Sequence, residues 1–155
     1  MSDTGRRLRV LELCEGISGP LCGRHLVLLG ATVEREEPPE GDRARAWGSG
    51  APGALHAWLA TGKRQAGDDA LAHANVVLAD EGRLDPAALP ATDRPRLVVI
   101  FERERLADGA LAGSETVVQA MLGHMDYVGD RWEGPARTGA DLASSATAVC
   151  AAHAV

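Results

Sequence analysis

A three-layer α/β domain, with helices covering a parallel sheet, is the fold class this sequence predicts. Three observations predict it. Residues 8–42, LRVLELCEGISGPLCGRHLVLLGATVEREEPPEGD, read as a strand, a Gly-Pro turn, a helix and a second strand. Two further apolar runs, NVVLA at Asn75–Ala79 and LVVIFE at Leu97–Glu102, fit strands buried on both faces. Helical segments separate these strands, and that alternation is the signature of crossover connections between parallel strands.

The elements follow in order. Val10–Leu13 lies in an apolar run fitting a buried strand. Gly16, Ser18, Gly19 and Pro20 supply the turn, with Pro20 suited to a first helical position. Leu21, His25, Leu26, Leu28 and Leu29 carry helical periodicity, and Gly30 closes the helix as a C-cap glycine. Thr32–Glu36 forms a short strand, which Pro38 and Pro39 end. Glu40–Gly53 is rich in Gly, Arg and Ala and predicts irregular chain. Ala54–Ala60 predicts a short helix broken by Gly62-Lys63-Arg64, and Asp69–His73 a single helical turn. Leu84–Asp93 is a loop with one helical turn at most, and Arg103–Gly113 is a polar loop. Glu115–Leu122 is helical, Gly129–Gly139 is a Gly/Pro-rich loop, and Asp141–Ala154 is an Ala-rich helix. No closing strand follows that last helix, which reads as either a fragment or a short natural protein.

Composition narrows the function classes. A chain of 155 residues with 45% hydrophobic residues can bury one ordinary core, so a single domain over 1–155 is expected. Only 3% of residues are aromatic, so that core is built from Leu, Val and Ala. The net charge of -6, with no long basic run, argues against nucleic-acid binding. No apolar run approaches the about 20 residues of a membrane-spanning helix, so no membrane partner is expected. The N-terminus shows no signal-type apolar region, and Cys14, Cys22 and Cys150 read as buried, reduced thiols, which together point to the cytoplasm. The Cys and His spacings match no zinc site, so no metal is expected. P-loop, dinucleotide-fingerprint and serine-hydrolase elbow patterns are all missing.

Short motifs distributed along the chain carry a resemblance. Leu8–Leu13, Gly19-Pro20, Leu29-Gly30-Ala31, Val33, Glu37-Pro38-Pro39 and Gly41-Asp42 with Arg45 resemble the opening of the class III CoA-transferases, the formyl-CoA transferase and α-methylacyl-CoA racemase type. Leu59-x-x-Gly62-Lys63-Arg64 is similar to that family's LNxGKRS element, and Ala74–Val77 to its ADV(L/M)V element. Val118-Gln119-Ala120 through Gly123, Gly129, Gly134-Pro135, Arg137 and Gly139 are similar to its QA-to-PPxRxG segment.

The resemblance implies the N-terminal half of a large, Rossmann-like CoA-binding domain. It implies no permanently bound cofactor, a coenzyme A thioester as substrate, and a homodimer or a complementary subunit as partner. The implied activity is transfer of CoA between an acyl-CoA and a carboxylic acid. In the family an aspartate after the PPxRxG loop attacks the acyl-CoA, giving an anhydride and then an enzyme-bound CoA thioester. The corresponding residues for the coenzyme are Ser18, Arg45, Leu59, Lys63, Arg64 and Asp80.

The chain departs from the family at the reacting group. Ser144 stands at the usual aspartate position, without an obvious base beside it, and the nearest carboxylate is Asp141, three residues earlier. Three residues is nearly one helical turn, so Asp141 reaches a similar place if the loop is shortened; the alternative is an N-cap for the last helix. The histidine of the racemase branch is replaced by Ser114 and Glu115, and His124 reads as a surface or core residue. After the NVVLA strand, Asp80 and Glu81 stand where the family has amide and aromatic groups, which weakens phosphate binding. Lys63 and Arg64 are either phosphate partners or a solvated basic turn. A catalytically degenerate partner or remnant, keeping the fold and binding at most CoA or another anion, is therefore the alternative to the enzyme.

Overall fold

Five parallel strands in the order β3-β2-β1-β4-β5 form the sheet. The computed structural model describes residues 8–48, 51, 53–89, 91, 95–103, 109–110, 113–129 and 132–155. Parts of the loops expected over Leu84–Asp93, Arg103–Gly113 and Gly129–Gly139 lie outside the described residues. The strands are β1 (Arg9–Leu13), β2 (Thr32–Arg35), β3 (Arg64–Gln65), β4 (Val76–Asp80) and β5 (Leu97–Phe101). The helices are α1 (Ser18–Leu28), α2 (Ala54–Ala60), α3 (Ala70–His73), α4 (Glu115–Met121), α5 (His124–Val128) and α6 (Leu142–Ala154), with 3-10 turns at Arg43–Ala46 and Pro86–Ala88.

The central pair β1 and β4 are the most buried strands, as expected of strands covered on both faces. Val10 pairs with Val33 on one side and Val76 on the other, which sets the register of the three strands. Alternation divides the side chains between two cores. On the α1 and α6 side Val10, Cys14, Val33, Val76, Leu78 and Phe101 pack with Cys22, Leu26 and Ala148. On the other side Leu11, Leu13, Val77 and Ala79 pack against Ala70 and Ala74 of the short α3 region. Burying side chains of this kind contributes about 1.5–3 kcal/mol each for Leu and Val.

Sequence and structure differ in a few places. Helix α1 starts at Ser18, so Pro20 is its third residue, still within the first turn where a missing N–H costs no intrahelical bond. Gly30, at φ +94°, closes α1 as expected, with Ala31 N–H donating to Leu26 O at 2.9 Å. Residues Arg64 and Gln65 form a short edge strand beside β2 instead of a simple break. Of the three thiols, only Cys14 and Cys22 are buried; Cys150 is exposed, because it faces outward on α6.

Close approach of α1 to β1 is set by two glycines. A Cβ at Gly19 would overlap Cys14, and one at Gly23 would overlap the Glu12 carboxylate and come within 3.1 Å of Lys63 Nζ. Glu12 points to the α1 side of β1 and is fully buried beneath that helix. Its Oε2 accepts from Lys63 Nζ at 2.6 Å, and the same ammonium donates to Pro20 O at 2.7 Å. Its Oε1 lies 3.0 Å from Arg35 Nε, a Coulombic contact that is not aligned as a hydrogen bond. Burial pushes the Glu12 carboxyl up and the Lys63 ammonium down from their ordinary values, each against the pull of the other charge.

Arg35, buried at the end of β2, continues the chain of charges. Its Nη2 donates to Asp42 Oδ2. Asp42 Oδ1 in turn accepts the Gly16 N–H at 3.0 Å and the Ala44 N–H at 2.7 Å. Next to it, Arg45 clasps Glu37 through Nε at 3.0 Å and Nη2 at 2.7 Å. His56 Nε2 is 2.8 Å from Arg35 Nη1 and 3.0 Å from Glu37 Oε1, so the ring's tautomer selects between accepting from one and donating to the other. The hydrogen bonds from Arg45, outweighing burial and aided by the Asp42 N–H and Arg35, hold Glu37 down at about 2.

Three outcomes follow for stability. Gly23→Ala, which forces the Glu12–Lys63 pair apart, lowers unfolding stability by about 2–4 kcal/mol in urea titrations. Gly139→Ala, where a Cβ meets open space, stays within about 0.5 kcal/mol of the parent. Glu37→Gln costs about 1–2 kcal/mol at neutral pH, allowing for partial solvent screening. Because the folded value is depressed, Glu37 stabilises the fold above its unfolded value of 4.5 and loses that effect as pH falls toward about 2. The gap between parent and variant therefore closes over that window; a gap independent of pH contradicts the assignment.

Candidate functional site

The strand order reverses direction at β1 and β4. From β1 the chain moves outward through β2 to β3, then returns to place β4 on the other side of β1. A crevice forms at such a switch point, outside the carboxyl ends of the strands, because the connections diverge to opposite sides. A cleft of about 660 Å³ lies there. Its floor and walls come from the β1–α1 turn (Glu15, Ile17, Ser18), the ends of β4 and β5 (Asp80, Phe101) and the first turns of α4 and α6 (Glu115, Asp141, Ser144). The loop after β2 adds Arg43 and Trp47.

Asp80 anchors the floor. Its Oδ2 accepts the Glu15 N–H at 2.8 Å, which ties the end of β4 to the β1–α1 turn. Burial raises the Asp80 carboxyl above its ordinary value, opposed by that N–H and by Arg43. The Arg43 guanidinium lies over the Trp47 ring at 5.6 Å and reaches Glu15 Oε1 at 3.5 Å. Both side chains crowd the turn, since a Cβ on Gly16 would sit 3.1 Å from Arg43 Nε and 3.3 Å from the Trp47 ring. Arg43 and Trp47 were not singled out from the sequence; only the run of Arg and Ala in that loop marked the region.

The opposite wall is built around Glu115. Ser114 caps α4 by accepting the Val117 N–H at 3.4 Å. Glu115 reaches across to the start of α6, where Oε1 accepts the Ala143 N–H at 2.7 Å and Oε2 accepts the Ser144 N–H at 3.2 Å. Ser144 Oγ also donates to Oε2 at 3.0 Å, and Gln119 Nε2 donates to Oε1 at 3.0 Å. Although burial works the other way, these four donors together lower the Glu115 carboxyl from its ordinary value. A carboxylate held so firmly in its charged form is a weak base. Ser144 thus has a carboxylate beside it, contrary to the sequence expectation, but one poorly suited to activate it. Gln119 is buried and fixes the preceding loop by donating to Ala140 O and accepting the Thr138 N–H.

Asp141 occupies the N-cap position of α6 without capping it through its side chain. Glu115 performs that role from α4. Asp141 Oδ1 instead accepts from Arg137 Nη2 at 2.9 Å, and its half-exposed carboxylate lines the cleft. Neither reading of Asp141 from the sequence foresaw a cap supplied by another helix, a long-range contact with no local pattern.

The cleft gathers Ser18, Asp80, Asp141 and Ser144 from the residues expected to form the site. The other four lie away from its lining. Leu59 is buried in α2, and Arg45 is paired with Glu37. Arg64 is exposed on the edge strand β3. Lys63 is neither a solvated turn residue nor open to a phosphate, because its side chain is 2% exposed and its ammonium is taken by Glu12 and Pro20 O. His124 Nε2 meets Thr138 Oγ1 at 2.8 Å, outside the cleft lining. Among the lining residues seven are Asp or Glu and three are Arg, so the lining is acidic. Among the described residues no cluster of His, Cys, Asp or Glu is arranged to hold a metal ion, and no helix is long and apolar enough to cross a membrane.

Comparison with known proteins agrees with this architecture. Residues 6–67 match the sequence pattern of CoA-transferase family III. No protein with a curated description matches the chain. A crystal structure of a CaiB/BaiF family protein from Brucella suis is similar over 95% of this chain and 47% of its own, at 26% identity and a TM-score of 0.70. That of the hypothetical protein Rv3272 from Mycobacterium tuberculosis is similar over 95% of this chain and 47% of its own, at 26% identity and a TM-score of 0.67. The chain spans about half the length of these structures. The family match is confined to β1, α1, β2 and the short β3, while the fold is shared with these structures over 95% of the chain, so the chain is similar to CoA-transferase family III in its first part and to CaiB/BaiF-type structures in fold.

Proposed function

We propose that this is a CoA-transferase-like protein that takes an acyl-CoA in the crevice at the carboxyl ends of β1 and β4 and transfers CoA to a carboxylic acid, with Asp141 as nucleophile. The observation that carries the reading is the placement of the half-exposed Asp141 carboxylate on the crevice wall. An Asp141 oxygen attacks the thioester carbonyl, the C–S bond breaks and CoA leaves as the thiolate. The resulting anhydride is reactive enough for that thiolate to attack the Asp141 carbonyl, releasing the first acid and leaving a CoA thioester on Asp141. The acceptor carboxylate then repeats the two steps in reverse. Arg137 holds one Asp141 oxygen and so orients the other.

A specific observation favours a second reading, a degenerate unit that keeps the fold and at most binds the coenzyme. The excess of carboxylates in the lining opposes a ligand carrying several phosphates, and Lys63 is withdrawn into the core. Either unit is proposed to act as a single domain, as a homodimer or with a complementary subunit. The free thiols and lack of a spanning helix among the described residues support a cytoplasmic setting.

Incubation with an acyl-CoA followed by peptide mass spectrometry separates the two. The transferase reading predicts a CoA or acyl adduct on the peptide containing Asp141, lost in Asp141→Asn and retained in Ser144→Ala. Saturable CoA binding in calorimetry with no adduct selects the degenerate reading. An adduct that survives Asp141→Asn contradicts the assignment of the nucleophile.

A further inference from the structure

One buried ring nitrogen is shared between a cation and a carboxylate. His56 projects from α2 and is 8% exposed. Its Nε2 lies 2.8 Å from Arg35 Nη1 and 3.0 Å from Glu37 Oε1. An imidazole nitrogen carries either a lone pair or a proton, so it serves only one of these neighbours at a time.

The charges around the ring decide what an added proton does. Strand β2 brings Arg35, the loop after it Glu37 and Asp42, and the 3-10 turn Arg45. On the far side of Arg35, β1 supplies Glu12, which holds Lys63. These six side chains carry three charges of each sign and balance while His56 is neutral. On α1, Arg24 is turned to the other end of α2, where its Nη1 donates to Thr61 O at 2.9 Å. With Nε2 unprotonated, the ring accepts from Arg35 and leaves Glu37 to Arg45, which clasps it through Nε and Nη2. With both nitrogens protonated, the ring donates to Glu37 and sets a second cation 2.8 Å from the Arg35 guanidinium. Water screens little in such a buried place, so the charged ring and Arg35 move apart.

Arg35 is the residue from which one wall of the crevice hangs. It holds Asp42, whose Oδ1 accepts the Gly16 N–H at 3.0 Å and the Ala44 N–H at 2.7 Å. Those bonds start the 3-10 turn from which Arg43 and Trp47 lean over the β1–α1 turn. We propose that His56 is a pH-sensitive latch on the crevice: neutral, it holds Arg35 on Asp42 and keeps the Arg43–Trp47 wall closed, and protonated, it exchanges Arg35 for Glu37 and releases that wall. Histidine is the side chain whose charge ordinarily changes between pH 5 and 8. Glu37, held down at about 2, stays ionised over that range and remains available to the charged ring. The latch belongs to the wall rather than to the reaction, so it stands whether or not the crevice takes an acyl-CoA.

Nuclear magnetic resonance of the full chain between pH 8 and 5 tests it, with the side-chain signals assigned through the backbone. The His56 ring signal is expected to titrate, and the Trp47 indole signal to shift with the same midpoint. The Gly16 and Ala44 amides are expected to lose hydrogen-exchange protection over the same range. In His56→Gln an uncharged amide both accepts from Arg35 and donates to Glu37, so the Trp47 shift and the loss of protection are expected to vanish. A merely structural His56 would change the stability of this variant without removing a pH-dependent signal. A Trp47 signal that shifts equally in His56→Gln overturns the proposal. So does a parent in which Trp47 and the Gly16 amide stay unchanged while His56 titrates, or in which His56 keeps one charge throughout. Both of those results are read on the parent alone, even if His56→Gln fails to fold.

Discussion

A carboxylate buried on the central strand sets the geometry of this molecule. Glu12 is fully buried under α1, between Lys63 and Arg35. Burying one charge alone would cost several kcal/mol, so the fold supplies two cations, and Arg35 in turn requires Asp42. The four charges sum to zero within a small region of the core. Gly23 makes the arrangement possible, because only a residue without a side chain leaves room for the pair beneath α1. The charges thereby determine how close the helix lies to the sheet.

The crevice depends on the same chain of contacts. Asp42, held by Arg35, accepts the Gly16 N–H and starts the 3-10 turn that carries Arg43. Gly16 precedes the first turn of α1, and Arg43 with Trp47 crowds it from the solvent side. One wall of the cleft is therefore tied to the core charge cluster. The opposite wall is independent of it, resting on Glu115 and Gln119, which join α4, the loop before α6 and the start of α6. A family fold with such a cleft does not by itself fix an activity, since the chemistry resides in the groups lining it. Here those groups are mainly acidic, and Lys63, which in sequence looks like a phosphate partner, is instead a structural cation.

Most of the scaffold was legible in the sequence because its signals are local. Val10–Leu13, Ala54–Ala60 and Leu97–Phe101 announce themselves through apolar runs and periodicity, and Gly30 through the position of a C-cap. Arg64–Gln65 escaped because two polar residues carry no alternation, and α5 because it follows α4 after one glycine with no apolar stripe of its own. At the site, Ser18 and Asp80 were expected through the family resemblance, and both line the cleft. The burial of Lys63 was not, since it depends on Gly23, far from it in sequence, lacking a side chain. The capping of α6 by Glu115 was hidden for the same reason: the partner is on another helix.

A double-mutant cycle on Glu12 and Lys63, read by urea unfolding, tests this account most directly. Lys63→Met and Glu12→Gln each remove one member of a buried pair and are predicted to cost about 3–5 kcal/mol. The double variant is predicted to be no less stable than the worse single one, giving a coupling of at least about 3 kcal/mol. Single variants that each cost under about 0.5 kcal/mol and add without coupling would contradict the claim that this pair organises the fold.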